Sequence, residues 1–280
     1  MAIAFKELTA AHPCFSTGAK SNKGRVHLPV SPGCNIQCRF CDRRLNDVDM
    51  RPGVASSIIT PQEALEVVKR AVELCPDITV AGVAGPGDTL ATPYALETFR
   101  LIKAGFPNII KCMSTNGLLL PQRADEIIEV GIDSLTVTVN AVDAVLLERI
   151  CGGVDAERLI HNQLSGIKKV ADAGVTVKVN TVLIPEINAA HIAEIAETVA
   201  AAGAKIYNII PLIPQHELAW CSAPDCDLIS KTRAEAQKHI SVFRHCQRCR
   251  ADAAGVPGGA DVSDRLYSRP VRLENTFSHG

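Results

Sequence analysis

Three cysteines at a C-x3-C-x2-C spacing, Cys34, Cys38 and Cys41, follow directly on the apolar run Val26 to Val30, and no other stretch constrains the chain as much. Soft thiolates crowded into one loop suit iron–sulfur clusters or zinc. A structural zinc site is ordinarily closed by a fourth ligand, whereas a cubane of iron and sulfide held by three thiolates keeps one iron open to a substrate. The alternative is a zinc loop that borrows its last ligand from a distant segment. Either way, a rigid element must deliver the loop, and the apolar run before it reads as a strand.

The spacing, with the aromatic Phe40 before the third cysteine, resembles the radical S-adenosylmethionine superfamily. The resemblance implies a 4Fe-4S cluster on Cys34, Cys38 and Cys41 that binds S-adenosylmethionine at its open iron. The chain carries eleven cysteines, and an odd number in a chain without a secretory leader argues for metal ligation over a disulfide framework. No apolar run reaches membrane-spanning length, and a formal net charge of −1 offers no basic surface for nucleic acid. The expectation is a cytoplasmic, monomeric protein of one large domain, working without nucleic acid or membrane, in an anaerobic setting because open iron is oxygen-sensitive.

Apolar runs alternate with helical patterns along most of the chain. Strands are expected at 26–31, 78–83, 109–113, 134–139, 175–184 and 206–213. Helices are expected at 60–74, 94–104, 122–130, 157–173 and 188–202. Thr60-Pro61-Gln62-Glu63 is a capping-box start with proline at the first helical position. Such alternation predicts a parallel sheet with helical crossovers. The count is short of a closed eight-stranded barrel, so the fold class is α/β, an open partial (β/α)6 TIM-type barrel. The expected organisation is an N-terminal arm over 1–25, the barrel over 26–215, a C-terminal extension over 216–253 with a helix at 230–243, and a loose Gly/Pro-rich tail from 254 to 280.

In a barrel of this kind the chemistry gathers at the C-terminal ends of the strands. The cysteine loop, Gly85-Pro86-Gly87-Asp88, Ser114-Thr115-Asn116, Asn140 and Asn180 all fall there. Asp88 could meet an ammonium group and the glycines could let backbone approach a ligand, though Gly-Pro-Gly is also ordinary turn chemistry. Ser114, Thr115, Asn116 and Asn140 could hydrogen-bond a carboxylate and a ribose. Cys112 in a strand reads equally as a small buried hydrophobe. Cys246 and Cys249 form a C-x2-C pair whose partners must come from elsewhere. Cys14 in the arm and His27 on the first strand would bring further ligands if arm and extension fold over the barrel mouth.

Longer stretches carry a narrower resemblance. His12-Pro13-Cys14, Arg25-Val26-His27-Leu28-Pro29-Val30, Arg51-Pro52-Gly53-Val54, Ala84 to Asp88, Ser114 to Leu118 and Arg244 to Ala253 closely resemble, in order, the NifB family of nitrogenase-cofactor maturases. The resemblance covers nearly all the chain, and implies the form without a C-terminal carrier-like domain. It implies a resident 4Fe-4S cluster and two substrate 4Fe-4S clusters held by Cys14, His27, Cys112, Cys246 and Cys249. It further implies that the methyl group of S-adenosylmethionine becomes a carbide as the two substrate clusters fuse into the eight-iron precursor of the nitrogenase cofactor. Iron–sulfur cluster donors and a downstream cofactor carrier are the implied partners. The chain departs from the family between Asp42 and Arg51, where a further cysteine is missing: either Asp47 or Asp49 ligates an iron in its place, or that site is one ligand short. Cys75, Cys151, Cys221 and Cys226 match nothing in the family and read as structural thiols. The remaining alternatives are another radical enzyme with auxiliary clusters and a non-catalytic iron–sulfur carrier.

Overall fold

The computed structural model describes residues 3–267 and 275–276. Its centre is a curved eight-stranded sheet. In chain order the strands are β1 (Gly24–His27), β2 (Ile78–Val83), β3 (Ile110–Thr115), β4 (Ser134–Thr138), β5 (Thr176–Leu183), β6 (Ile206–Pro211), β7 (Ser241–Phe243) and β8 (Ala254–Gly255). They lie in the order β7-β6-β5-β4-β3-β2-β1-β8. Neighbours from β1 to β7 run parallel, while β8 adds to β1 antiparallel. The sheet is an open partial barrel, as expected from the alternation. The edge strands are the difference, since β7 and β8 come from segments too short to show a periodicity.

The crossover helices are α1 (Pro61–Leu74), α2 (Tyr94–Gly105), α3 (Leu120–Val130), α4 (Ala156–Asp172), α5 (Ile192–Ala201) and α6 (Cys226–Ala236). The start of α1 is the capping box read from the sequence: Thr60 Oγ1 accepts from Glu63 N–H at 3.2 Å, and Glu63 accepts from Thr60 N–H at 2.8 Å. The inner face of α1 buries Ala64, Val67, Val68 and Ala71. Phe99 and Ile102 of α2 and Ile127 of α3 are likewise closed from water, in the same apolar core. Each large side chain so buried contributes roughly 1.5–3 kcal/mol, which fixes the helices on the outer face of the sheet.

Two expectations are corrected. The helix expected over 230–243 is α6, Cys226–Ala236, opened by Asp225, whose carboxylate accepts from Leu228 N–H at 2.7 Å. Ser241–Phe243 is β7 instead, because Val242 and Phe243 pair with Tyr207 and Asn208 at the free edge of β6. The tail is not loose through 267: Ala254 pairs with Val26, and the buried Tyr267 donates its hydroxyl to the His27 carbonyl. Most of the tail beyond lies outside the described residues. Among the described residues no helix is long and apolar enough to cross a membrane.

Candidate active site

The cysteine loop leaves the C-terminal end of β1 and is held on three sides. Ile36 is buried in a second apolar cluster with Leu118, Ile150 and Cys151. Gln37–Cys38 pairs antiparallel with Cys151–Gly152, setting Cys38 opposite Cys151. Gln215 Nε2 donates to the Phe40 carbonyl at 3.0 Å, and Arg39 pairs with Glu217. The three thiols feel one another. A hydrogen bond with Cys151 and burial push the Cys38 thiol up. Burial pushes Cys41 up to about 11, against the pull of Arg43. Burial raises Cys34 as well, with Arg43 opposing. Thiols in this state lose their protons readily only when a bound cation supplies the compensating charge. All eleven cysteines are free.

The Gly85–Asp88 turn lies against the root of that loop. Gly87 N–H donates to the Ser31 carbonyl and Asp88 N–H to the Gly33 carbonyl, both at 2.8 Å. A Cβ on Gly87 would fall 1.9 Å from the Gly33 carbonyl oxygen, so glycine is required by the neighbouring backbone. Asp88 is buried and faces inward. Its carboxylate accepts from Asn116 N–H at 2.6 Å, Leu90 N–H at 2.9 Å and the Thr115 hydroxyl at 3.0 Å. Burial raises its carboxyl above the ordinary range, and those donors pull it back. Asn116 Nδ2 reaches Asn35 Oδ1 at 2.7 Å within the cysteine loop. Asn140 is turned the other way, accepting from Val182 N–H at 2.9 Å. Ser114, by contrast, opens onto the cavity described next.

Alternate residues along the strands face a cavity of about 340 Å³ inside the barrel mouth. It is lined by Cys14 from the arm, His27 from β1, Cys112 from β3, Cys246 and Cys249 from the extension, and Cys41 from the cysteine loop. The register of β1, β2 and β3 sets His27, Gly82 and Cys112 side by side. A Cβ on Gly82 would stand 3.3 Å from His27 Cδ2. His27 Nδ1 lies 2.9 Å from the Arg250 carbonyl, which can only accept, so Nδ1 carries the proton and Nε2 keeps its lone pair. That is how a metal-ligating imidazole is ordinarily oriented. Burial, aided by Arg25, lowers the His27 pKa to about 4 and keeps the ring neutral. Cys14 is pushed up to about 11 by burial, against Lys178.

The extension is stapled down by Arg250 and Asp252, both buried. Arg250 pairs with Asp252 at 2.8 Å and donates to the carbonyls of Asn46 at 2.7 Å and Asp49 at 2.8 Å. Asp252 also accepts from the Ser56 hydroxyl at 2.7 Å. The roof over the cavity thus hangs on the Arg51–Val54 side of the cysteine loop. Sequence reasoning missed this pair, along with Gly82, Lys178 and Cys151. A glycine inside a strand pattern was the one available signal.

Other residues are placed elsewhere. Asp47 is exposed and Asp49 is paired with Arg51 at 3.1 Å, and neither carboxylate lines the cavity. Asp42 does line it, held by Arg44 and Arg51. Cys75 packs against the main core and Cys221 lies in the second apolar cluster, while Cys226 is exposed. Among the described residues no three His, Cys, Asp or Glu side chains close on one point. A single zinc needs its ligands about 2.0–2.3 Å from a common centre. Soft donors spread around a cavity fit a multi-iron cluster better, and Cys34, Cys38 and Cys41, free of disulfides and sharing one loop, fit a resident one.

A family model of the radical SAM superfamily matches residues 28–199. The FeMo cofactor biosynthesis protein NifB of Methanocaldococcus jannaschii is 40% identical, covering 98% of this chain and 95% of that relative. NifB of Methanocaldococcus infernus is 43% identical over 97% of this chain and 94% of its own length. NifB of Klebsiella pneumoniae is 39% identical over 94% of this chain, which spans 60% of that longer relative. Among solved structures, a radical SAM methyltransferase from Sphaerobacter thermophilus matches with TM-score 0.63 at 19% identity, over 82% of this chain and 70% of that one. SuiB of Streptococcus suis matches with TM-score 0.60 at 12% identity, over 81% of this chain and 51% of that one. Those likenesses carry the fold, and the sequence matches carry the family: the chain belongs to the radical SAM superfamily and, within it, to the family of the FeMo cofactor biosynthesis protein NifB.

Proposed function

We propose that this chain is a carbide-inserting radical enzyme of nitrogenase-cofactor biosynthesis, fusing two 4Fe-4S clusters into an eight-iron precursor. One S-adenosylmethionine gives its methyl group to a sulfide of a substrate cluster, and that carbon ends as the central carbide. Cys34, Cys38 and Cys41 would hold the resident 4Fe-4S cluster, which when bound would supply the electron that cleaves a further S-adenosylmethionine to methionine and a 5′-deoxyadenosyl radical, and that radical takes a hydrogen atom from the transferred methyl group to leave as 5′-deoxyadenosine. Cys14, His27, Cys112, Cys246 and Cys249 hold the substrate clusters.

The chain's own residues divide the remaining work. The backbone of Gly85, Pro86 and Gly87, with Ser114 and Asn116, borders the place for S-adenosylmethionine between the cysteine loop and the cavity. Asp88 and Thr115 position that border from beneath, and Asn140, just past β4, accepts from Val182 N–H and so ties the end of β4 to β5. His27 supplies a nitrogen ligand, more labile than thiolate, to a cluster that must leave. Iron–sulfur cluster donors load the cavity and a cofactor carrier takes the product.

One observation carries this reading: soft candidate ligands from the arm, two strands and the extension line one cavity together with Cys41 of the cysteine loop. The test is anaerobic reconstitution with iron and sulfide, followed by S-adenosylmethionine and dithionite. About twelve irons per chain, with both S-adenosylhomocysteine and 5′-deoxyadenosine as products, is the expected result. About four irons with 5′-deoxyadenosine alone would identify a different radical enzyme. Metal with neither product would identify a carrier.

A further inference from the structure

Three imidazoles line the cavity, those of His12, His27 and His245, and the backbone gives the two buried deepest, His12 and His27, opposite tautomers. His27 donates from Nδ1 to the Arg250 carbonyl and so offers a lone pair at Nε2. His12 does the reverse. Its Nδ1 accepts from Cys14 N–H at 3.1 Å, which places the proton of the neutral ring on Nε2. That Nε2–H is buried with no hydrogen-bond partner, on a residue only 2% exposed. His12 therefore presents a donor where His27 presents a ligand, although both precede or accompany a candidate thiolate.

Lys178 on β5 stands on the same wall and is 7% exposed. Its ammonium makes one long hydrogen bond, 3.5 Å to the Cys14 carbonyl, and lies 4.9 Å from the Phe15 ring centroid and 5.8 Å from that of Phe243. Among the described residues it has no carboxylate partner. Arg25, also buried, donates from Nη2 to Cys249 Sγ at 3.1 Å and keeps a buried Nε–H without an acceptor. Three buried nitrogen-bearing side chains, two of them cationic, thus line a space that thiols line as well. A neutral or apolar occupant would leave the two cations without a countercharge and the His12 Nε2–H without an acceptor, which buried groups tolerate poorly. An anionic body rich in soft acceptors would satisfy all three.

We propose that His12 and Lys178 are positioning residues for a substrate cluster in this cavity. His12 Nε2 donates to a sulfur of the cluster, and Lys178 balances its negative charge; His27 is the imidazole that binds iron. The inference rests on the proposed function above and assigns residues that the ligand set alone does not include.

The test uses the full chain, reconstituted anaerobically, with His12→Phe, His12→Gln, Lys178→Met and Lys178→Arg beside wild type. Electron paramagnetic resonance during a redox titration reads each cluster's potential, a chelator reads its rate of loss, and pulsed measurements read nitrogen coupling to iron. Lys178→Met is expected to lower the potential of one auxiliary cluster, because added electron density there loses its countercharge. The same cluster should be lost to chelator on the order of tenfold faster. His12→Phe should move both readouts the same way, and His12→Gln and Lys178→Arg should bring them back toward wild type. Nitrogen coupling should survive His12→Phe and vanish in His27→Ala. Should the methionine variant not fold, Lys178→Gln takes its place. Wild-type potentials and loss rates in both disruptive variants overturn the inference, as does nitrogen coupling that disappears with His12. A wild-type chain holding only the resident cluster overturns the functional reading itself, a result seen before any variant is made.

Discussion

Gly82 shows how a residue without a side chain can shape a site. It stands between His27 and Cys112 in the strand register, and the ring of His27 lies over it. Gly82→Val should push that ring off the cavity. The expected result is fewer auxiliary irons per chain with the resident cluster's S-adenosylmethionine-dependent spectrum intact, and a full iron complement in the variant would disprove the assignment. Asp88 makes the opposite case, a side chain spent wholly on the frame. Its folded carboxyl binds a proton more tightly than the unfolded one, since burial outweighs the donors around it. Between those two values the native state holds more protons, so the Asp88 contribution to stability falls as pH rises. Asp88→Asn should remove that slope from urea-unfolding profiles. It should also cost about 1–3 kcal/mol, because an amide cannot accept from Asn116, Leu90 and Thr115 together. An unchanged slope would assign the titration elsewhere.

At the scale of elements, β3 and β4 are tied by a buried ion pair as well as by their ladder. Lys111 Nζ lies 3.1 Å from Asp133, and the same carboxylate accepts from Lys111 N–H at 2.8 Å. Asp133→Ala leaves a buried ammonium uncompensated and should destabilise the chain by about 3–5 kcal/mol in equilibrium unfolding. Lys111→Met with Asp133→Asn should recover most of it, since the ammonium is removed while the amide oxygen still accepts from the buried N–H of residue 111. The Arg250–Asp252 staple works between elements. Arg250→Met should free the extension from the carbonyls of Asn46 and Asp49, so that Cys246 and Cys249 no longer face the barrel mouth. Iron counting on the reconstituted variant should then find the resident cluster and lose auxiliary iron. Retention of all of it would show that the roof is held some other way.

At the scale of the whole molecule, arm, barrel and extension close one space, and no single segment contains it. The sequence by itself determined the elements with long periodic patterns: the strands β1 to β6, the crossover helices α1 to α5 and the capped start of α1. It also determined the cysteine loop, because ligands spaced within eight residues must share a site whatever the tertiary fold. The tertiary structure decided the rest. Edge strands of two or three residues gain their stability from a neighbouring ladder and leave no period to read. The meeting of Cys14, His27, Cys112 and Cys249 depends on chain paths more than two hundred residues apart, set by β8 beside β1 and by the Arg250 staple. The tautomers of His12 and His27 depend on which backbone group each ring meets, the amide of Cys14 or the carbonyl of Arg250. Residue type names the chemistry a side chain can perform. Only the packing around it decides which of its atoms is left to act.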